Sequence, residues 1–536
     1  MLIDQFKPKA RVGLVLKKRA ALLMAAVCLS LPFALCAQGQ TVSALPMLGD
    51  GSDMSTGAER RLGDRIAREL YRDPDFIDDP VLSDYVQGVW QPLLGAARAR
   101  GDLTPELDER FAWRIVLGRD RSVNAFALPG GYFGLHLGLL SVVSSRDELA
   151  SVLGHELSHV TQRHISRLIS KSNQQTPWMI GAMILGALAA SKNADAGNAL
   201  MVGGQALSAQ SQLNFSRDME READRIGFGV MTQAGFEAQG FVGMFDKLQQ
   251  ASRLNDSGAY PYLRSHPLTT ERIADMQSRL PLGAPHPAPV IPGMTHAMLT
   301  ARARVLSNPG PDALRGWLKQ ADDAGLSRQA PAQQAGALYG AALAASQMRD
   351  AARARRLFAR LQKLVPEGPE AARQVRWLGL EMELAAGDRS PAEVLALGAG
   401  AGLDAVNPPG ATVLRRPDLI LQAQLAAQGK QLQMVDRSVQ NLQSWLVSQP
   451  QDALAWQWLA SLYAAKNQGL RALRAEAEVR IAQLDYAGAL DRLKAAQDRL
   501  RVPGASNSSA DHIDASIIDT RRRQIEGLLK EQAKEP

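Results

Sequence analysis

The chain has 536 residues, of which 61 are Lys or Arg and 54 are Asp or Glu, so its formal net charge is +7. A chain of this length is expected to form two or more domains. Residues 1–37 hold six basic residues and one acidic residue, and they contribute +5 of the net charge. Because the rest of the chain carries only +2, the composition argues against a nucleic-acid partner.

Residues 1–37 are predicted to be a signal peptide. A basic segment precedes an apolar run from Ala20 to Ala34, and Leu35-Cys36-Ala37 resembles a cleavage site. The run is short for a membrane-spanning helix, which favours cleavage. An uncleaved anchor and a lipoprotein modified at Cys36 are the two alternatives. The segment predicts export to the periplasm of a Gram-negative bacterium, with at most a peripheral contact with the membrane. Both cysteines lie within it.

The segment Tyr132–Leu140 mixes glycines with apolar residues and is predicted to form a strand. Its first five residues are Tyr132, Phe133, Gly134, Leu135 and His136. An edge strand at this place could pair with an extended polypeptide substrate through main-chain hydrogen bonds. Such pairing would give loose sequence specificity. An ordinary core strand is the alternative.

The most informative stretch is HELSH, residues 155–159, which lies in a predicted helix from Arg146 to Ser170. Residues four apart share one face of a helix, so the imidazoles of His155 and His159 can bind one Zn²⁺. Glu156, one step further round, can act as the general base of a peptidase. The alternative is a polar helix face with two incidental histidines.

A zinc peptidase needs a third protein ligand and one open position. One large class uses a His ten residues after the first, but that position is Ile165 here. On a continuous helix His164 would face away from a metal at His155. We therefore expect His164 to be a structural or surface residue.

The better candidate for the third ligand lies in the stretch RDMEREADRIGF. Glu220 and Asp224 are four residues apart, so they share a helix face. Glu220 can bind the metal, and Asp224 can accept a hydrogen bond from the outer nitrogen of a zinc-bound His. Glu222 is a competing ligand, and an ordinary solvated helix face is the alternative to any site.

The segment Pro177–Ala190, PWMIGAMILGALAA, lies between the two predicted zinc helices. It is too short to span a bilayer upright. It is predicted to be a buried helix, and a mobile apolar lid over the site is the alternative.

HELSHVTQRH together with EREAD resembles the gluzincin metallopeptidases grouped with HtpX and the CaaX prenyl endopeptidases. The segments at 124–140 and 265–273, NAFALPGGYFGLHLGLL and SHPLTTERI, resemble the family's flanking elements. LPMLGD at 45–50 resembles the start of its soluble, secreted branch, in which some members carry a C-terminal tetratricopeptide domain. The resemblance is strong over roughly residues 45–280 and loose beyond.

The resemblance implies a mostly helical α+β fold, with a zincin-type catalytic domain that contains a small sheet. It implies one Zn²⁺ per chain, bound by His155, His159 and Glu220, with Glu156 as a catalytic residue. Resemblance to the secreted branch further suggests that His266 is a fourth ligand, which would displace water and hold the enzyme off. His266 could instead stabilise a loop or an oxyanion. Arg272 is expected to pair with a nearby acid.

The C-terminal half is predicted to be all helical. A proline-rich linker at 281–293 separates a metallopeptidase domain at 38–280 from a tetratricopeptide-like repeat domain at 294–503. Trp456, Leu459, Ala460 and Tyr463 match the core of one repeat, with Ala472 in its second helix. A weaker unit spans Ala335 to Pro366, and a generic alanine-rich bundle is the alternative. Residues 504–536 are expected to be a mobile or partly helical tail, with a helix over Ile517–Leu529.

Two functions follow from these observations. The first is a periplasmic zinc endopeptidase whose repeats bind partners. By resemblance, its substrates would be unfolded or misassembled outer-membrane proteins, and its repeats could contact the outer-membrane assembly machinery. The second is a chaperone or scaffold that acts through the repeats, with proteolysis held latent.

Overall fold

The structure, a computed structural model, describes residues 54–171, 216–254, 259–280, 292–365, 369–391, 393–394, 414–429, 432–501 and 509–533. The expected signal peptide, the segment LPMLGD, the apolar segment Pro177–Ala190 and most of the proline-rich linker lie outside these residues.

The N-terminal half of the described chain combines ten α-helices with three short strands. In chain order these are α1 (Thr56–Arg72), α2 (Pro80–Arg100), α3 (Pro105–Arg110), β1 (Arg114–Gly118), β2 (Ala125–Leu128), β3 (Tyr132–His136), α4 (Leu137–Val142), α5 (Arg146–Thr161), α6 (His164–Lys171), α7 (Arg217–Gln233), α8 (Gln239–Leu254), α9 (Tyr262–Ser265) and α10 (Thr270–Ser278). A 3₁₀ turn at Pro129–Gly131 joins β2 to β3. This half confirms the expected α+β fold with a small sheet.

The sheet has the order β1-β3-β2. β3 pairs in parallel with β1, from Arg114 beside Tyr132 to Gly118 beside His136, and antiparallel with β2. Tyr132–His136 is therefore the central strand, and its residues are all buried. The prediction of an edge strand here is wrong, because both edges of β3 already hold a neighbouring strand. The alternative, a core strand, is what the structure contains.

The helix that carries HELSH is α5, and its start is capped by side chains. The Ser145 hydroxyl accepts a hydrogen bond from the Glu148 backbone N–H at 3.1 Å. The Glu148 carboxylate accepts another from the Ser144 N–H at 2.6 Å. Along the helix, Leu149, Leu153 and Leu157 are buried in the largest hydrophobic core. The helix ends at Thr161, so the predicted continuous helix to Ser170 is interrupted.

The C-terminal half of the described chain is helical, as predicted. Its helices are α11 (Met294–Ser307), α12 (Pro311–Asp322), α13 (Pro331–Gln347), α14 (Ala351–Leu364), α15 (Pro369–Ala386), α16 (Arg416–Gly429), α17 (Leu432–Ser448), α18 (Ala453–Ala465), α19 (Gly469–Ala482), α20 (Tyr486–Leu500) and α21 (Ser509–Ala533). A 3₁₀ turn lies at Leu326–Arg328.

Two helix pairs coincide with the expected repeat units. α13 packs against α14, and α18 packs against α19. Leu459, Ala460 and Tyr463 of α18 are buried, as is Ala472 of α19. These pairs have the helix–turn–helix form of the repeats, whereas the tetratricopeptide assignment itself stays a prediction. α21 contains the helix expected at 517–529 and packs against α20.

The N-terminal and C-terminal helices share buried contacts. The largest hydrophobic core includes Trp377 and Leu421 together with residues of α2 and α5. The buried guanidinium of Arg302 on α11 binds Asp79 at the start of α2 and Glu381 on α15 at 2.6–2.9 Å. Among the described helices, none combines the length and apolar character that crossing a membrane requires.

Candidate metal centre

The helices α5 and α7 approach each other closely at a pair of glycines. A Cβ atom on Gly227 would lie 2.9 Å from the Gly154 carbonyl carbon and from the His155 nitrogen. Two helix backbones can come this near only where neither carries a side chain. The close approach brings Glu220, about two turns before Gly227 on α7, beside the histidines of α5.

Four side chains place one possible ligand atom each in a single buried cluster. They are His155, His159, Glu220 and His266, and their ligand atoms all lie within 4.8 Å of one another. The two Nε2 atoms of His155 and His159 are 3.0 Å apart, and each is 3.5 Å from a carboxylate oxygen of Glu220. Nδ1 of His266 lies 3.3 Å from His155 Nε2 and 3.0 Å from Glu220 Oε1.

The outer nitrogen of His155 faces a second carboxylate. His155 Nδ1 lies 2.9 Å from Asp224 Oδ1. Arg272 on α10 holds that carboxylate through two hydrogen bonds, at 2.6 Å from Nε and 2.8 Å from Nη2, and its Nη1 lies 2.8 Å from Glu220 Oε2. The expectation that Arg272 pairs with a nearby acid is met twice, by Asp224 and by Glu220.

The outer nitrogen of His159 faces His164. The two Nδ1 atoms are 2.8 Å apart, and His164 Nε2 lies 3.1 Å from a carboxylate oxygen of Glu222. His164 is fully buried, so it is not a surface residue. It does not face away from the site because α5 ends at Thr161 and Arg163 has a positive φ of 53°. This left-handed residue turns the chain and returns His164 to the back of His159.

The donor set fits a metal cation. When both imidazoles are neutral and the proton of each is on Nδ1, shared with Asp224 or His164, a lone pair on each Nε2 is available for a metal. A cation bound there would displace the second proton that His155 holds at neutral pH. Two lone pairs and the Glu220 carboxylate, which Arg272 also contacts, then face one another. A tetrahedral zinc with bonds of about 2.0–2.1 Å holds its ligand atoms roughly 3.4 Å apart, close to the separations in this cluster.

Comparison with known proteins agrees with this chemistry. The model of Peptidase family M48 matches residues 103–280, which include every residue of the cluster. The beta-barrel assembly-enhancing protease of Escherichia coli (strain K12) is 30% identical over 442 residues, 81% of this chain and 83% of that protein. The chain belongs to peptidase family M48. It is therefore a metallopeptidase, as predicted.

Two further relatives differ in how much of their length is matched. The beta-barrel assembly-enhancing protease of Yersinia pestis is 29% identical over 492 residues, 91% of this chain and 93% of that protein. A relative from Vibrio cholerae is 36% identical over 237 residues, 44% of this chain and 47% of that relative. The chain thus matches about half of the Vibrio protein and most of the other two.

Proton affinities in this M48 site are set by burial and by the neighbouring charges. Burial lowers the pKa of His155, but its hydrogen bonds to Asp224 and Glu220 outweigh burial and raise it to about 10. Burial holds the pKa of His159 well below its usual value, and the positive charge of His155 acts in the same direction. Burial lowers the pKa of His164 to about 4, so that imidazole is neutral at pH 7.

The carboxyl groups of Glu156 and Glu220 in the M48 site have pKa values shifted in opposite directions. Burial raises the pKa of the Glu156 carboxyl. Burial acts the same way on Glu220, but the charges of His266 and His155 outweigh it and hold the Glu220 pKa well below its usual range. Glu220 is therefore the anion of the cluster, whereas Glu156 has the greater affinity for a proton.

His266 connects the cluster to Glu156. Its Nδ1 points to Glu220, and its Nε2 lies 3.4 Å from Glu156 Oε1. The ring of Tyr262 stacks on the imidazole with the ring centroids 4.6 Å apart. The backbone N–H of His266 also donates to the Tyr262 carbonyl at 2.9 Å. His266 is thus held beside both the other three cluster residues and Glu156, and it is buried with them.

The predicted site residues fall into two groups in the structure. His155, Glu156, His159, Glu220, Asp224 and His266 lie together, whereas Tyr132–His136 is a central strand with no free edge. The contacts of His164 and Glu222 with the site are not predicted by the sequence pattern. Arg163 gives no sequence signal for a left-handed turn, because Gly and Asn are the residues that usually mark one.

Proposed function

We propose that this M48 metallopeptidase is a zinc-dependent endopeptidase of the periplasm, acting in quality control or assembly of outer-membrane proteins. The observation that carries the proposal is the buried cluster of three imidazoles and one carboxylate beside Glu156. Nitrogen and carboxylate ligands at these separations suit zinc. The names of the E. coli and Yersinia relatives support the outer-membrane role. The predicted signal peptide supports the location.

Each residue of the cluster has a role in this proposal. His155, His159 and Glu220 bind the metal, and Asp224 keeps the proton of His155 on its outer nitrogen. A zinc ion bound there supplies Lewis acidity and lowers the pKa of water to about 7. Glu156 takes the proton of the attacking water and then gives it to the leaving amine. The raised pKa of the Glu156 carboxyl suits both transfers.

We propose that the polypeptide substrate pairs with the outer edge of β2, because both edges of β3 already hold a strand. The His136 N–H donates to the Asn124 carbonyl, and Phe126 and Leu128 lie opposite Gly134 and Tyr132. In an antiparallel ladder every second residue exchanges main-chain hydrogen bonds with the neighbouring strand, and here those residues are Asn124, Phe126 and Leu128. The main-chain N–H and C=O groups of Ala125 and Ala127 therefore point away from β3, towards the outer edge of the sheet.

β2 also packs against α5, the helix of the HELSH motif. An extended polypeptide paired with this edge would lie along the zinc helix. Ala125 and the metal cluster are both buried, so substrate access requires a rearrangement that opens the site.

His266 is proposed to be a switch at this site. A catalytic zinc site keeps one position open, and four protein ligands close it. Nδ1 of His266, which lies 3.0 Å from Glu220, would take the fourth place, while Nε2 lies 3.4 Å from Glu156, the proposed general base. Withdrawal of His266 would open the fourth metal position and release Glu156 at the same time. The His266→Ala variant is then expected to cleave casein faster than the wild type. Unchanged proteolysis would refute the switch, and slower proteolysis would favour an oxyanion-stabilising role.

The main test is metal analysis of the purified protein together with casein digestion, with and without a chelator. One zinc per chain and a digestion that the chelator abolishes and zinc restores are the expected results. Glu156→Gln should keep the metal and lose the digestion. A protein that binds no zinc, or digests equally well in chelator, would contradict the proposal.

The second candidate is a chaperone or scaffold with latent proteolysis. The closed, buried site with His266 in the fourth place favours it. The helix pairs α13–α14 and α18–α19 would then bind unfolded outer-membrane proteins or the assembly machinery. Complementation of a deletion strain distinguishes the two functions. Full complementation by Glu156→Gln supports the scaffold, and its failure supports the peptidase.

A further inference from the structure

His164 and Glu222 lie outside the four-residue cluster, and the proposed mechanism leaves both without a role. His164 begins α6, directly after the left-handed turn at Arg163. Glu222 lies between Glu220 and Asp224 on α7, and Arg167 fixes its carboxylate at 3.0 Å. The contacts form a line: His159 Nδ1 to His164 Nδ1 at 2.8 Å, and His164 Nε2 to Glu222 at 3.1 Å.

We propose that His164 and Glu222 are positioning residues, which form a relay that directs the lone pair of His159 Nε2 at the metal. The inference rests on the proposed metal function and deepens it. The competing sequence interpretations, Glu222 as a ligand and His164 as a surface residue, are both replaced by this role. Neither residue touches the metal in the relay. Both act through His159.

The positions of the protons follow from the chemistry of the groups. An ionised carboxylate only accepts hydrogen bonds, so the proton between His164 and Glu222 belongs to His164 Nε2. A neutral imidazole has one N–H, and His164 Nδ1 is therefore an acceptor. The proton between the two histidines then belongs to His159 Nδ1. His159 is left with a bare Nε2, the tautomer that metal binding requires.

The other histidine of the motif has a matching arrangement. His155 Nδ1 faces Asp224, and Arg272 holds that carboxylate, as Arg167 holds Glu222. The two metal-facing histidines thus each have an outer carboxylate supported by an arginine, directly for His155 and through His164 for His159. α7 supplies Glu220, Glu222 and Asp224, so three alternate acids of one helix serve the site.

The test measures zinc affinity of the full chain by competition with a chelator, which needs no proteolysis. Glu222→Gln removes the charge and keeps the shape, and it should weaken zinc binding on the order of 10-fold. Asp218→Asn is the matched control, because Asp218 is an exposed acid on the same helix and its loss changes the charge equally. The control should bind zinc as the wild type does.

Two variants of His164 separate positioning from packing. Asn places an amide oxygen near the position of Nδ1, so His164→Asn can still accept from His159. Leu fills a similar space and accepts nothing. Zinc affinity is expected to fall in the order wild type, Asn, Leu, with the Leu variant about 100-fold weaker. The shorter Asn side chain ends near the position of Nδ1 and loses the contact that His164 Nε2 makes with Glu222. In the His164→Asn background, Glu222→Gln should therefore have no further effect on zinc affinity.

Several results would overturn the relay. They are equal zinc affinities for His164→Leu and His164→Asn, equal effects of Glu222→Gln and Asp218→Asn, or an undiminished effect of Glu222→Gln in the His164→Asn background. Urea unfolding of the metal-free variants identifies a His164 change that fails to fold. The side chain of Glu222 is 31% exposed, so its substitution leaves the interior packing intact and keeps the test decisive. A wild-type chain without zinc affinity would refute the metal function itself.

Discussion

Gly154 and Gly227 lie backbone to backbone where α5 meets α7, and a Cβ on Gly227 would be 2.9 Å from the Gly154 carbonyl carbon. This contact sets the distance between the helix that carries His155 and His159 and the helix that carries Glu220. The cluster of His155, His159, Glu220 and His266 therefore depends on two glycines, which cannot themselves bind a metal through a side chain.

Gly227→Ala is expected to destabilise the protein by about 1–3 kcal/mol and to weaken zinc binding, because the new methyl group separates the two helices. Urea unfolding and chelator competition measure the two effects. Gly229→Ala is the control on the same helix. Its Cβ would meet only the end of the flexible Arg100 side chain, and removing a helical Gly favours folding. Equal stability of the two variants would contradict the role of the close approach.

Arg272→Met is expected to cost about 3–5 kcal/mol of the free energy of unfolding. The side chain of Arg272 is 3% exposed and binds Asp224 and Glu220, so its loss deprives two buried carboxylates of the guanidinium that contacts both. Denaturant unfolding of metal-free protein measures the cost. Arg279→Met, which removes an arginine paired with Asp275 near the surface, should cost at most about 1 kcal/mol. Similar costs for both changes would refute the prediction.

Asp452 is expected to make the protein sensitive to acid. Burial raises its pKa, but two hydrogen bonds from Arg416 outweigh burial and lower it below the usual value. The stabilisation is therefore fully present above the unfolded pKa of about 3.9, and it is lost as the pH falls through the lower folded pKa. Asp452→Asn should lower stability at pH 7 and flatten the loss below pH ~4. An acid limb identical to that of the wild type would contradict this.

Zinc binding is expected to stabilise the fold, because a cation bound among ligand atoms that face one another at 3.0–3.5 Å would hold them together. Free zinc at 100 times its dissociation constant should add about 2.7 kcal/mol to the free energy of unfolding. Thermal unfolding with and without chelator tests this. Glu156→Gln should retain the full stabilisation, since Glu156 is not among the four donors. Loss of stabilisation in that variant would make Glu156 a ligand.

The sequence predicts those parts of the site in which the residues lie close together in the chain, on a single helix. His155 and His159 share a face because they are four residues apart on one helix, and the same holds for Glu220 and Asp224. Spacing alone therefore predicts both halves of the site. The helical C-terminal half follows from its periodicity in the same way. These relationships need only backbone geometry within one element.

Residue spacing gave wrong predictions at two kinds of place: where a helix ended in a turn, and where the position of a strand depended on the strands beside it. A helix that continues past Thr161 predicts that His164 faces away from the site, but the left-handed backbone of Arg163 brings it back to His159. Tyr132–His136 reads as a strand, yet its central place depends on β1 and β2 pairing with both of its edges. No local pattern contains that information.

The sequence by itself determined which residues have metal-binding chemistry and which of them share a helix face, because a helix repeats every 3.6 residues wherever it lies. Only the tertiary structure decided that α5 and α7 meet at Gly154 and Gly227, that Arg272 supports Asp224, and that His266 lies beside Glu156. Those contacts join residues 48 to 110 positions apart in the chain. They depend on how whole helices pack, a property of the shared core that no short stretch of sequence specifies.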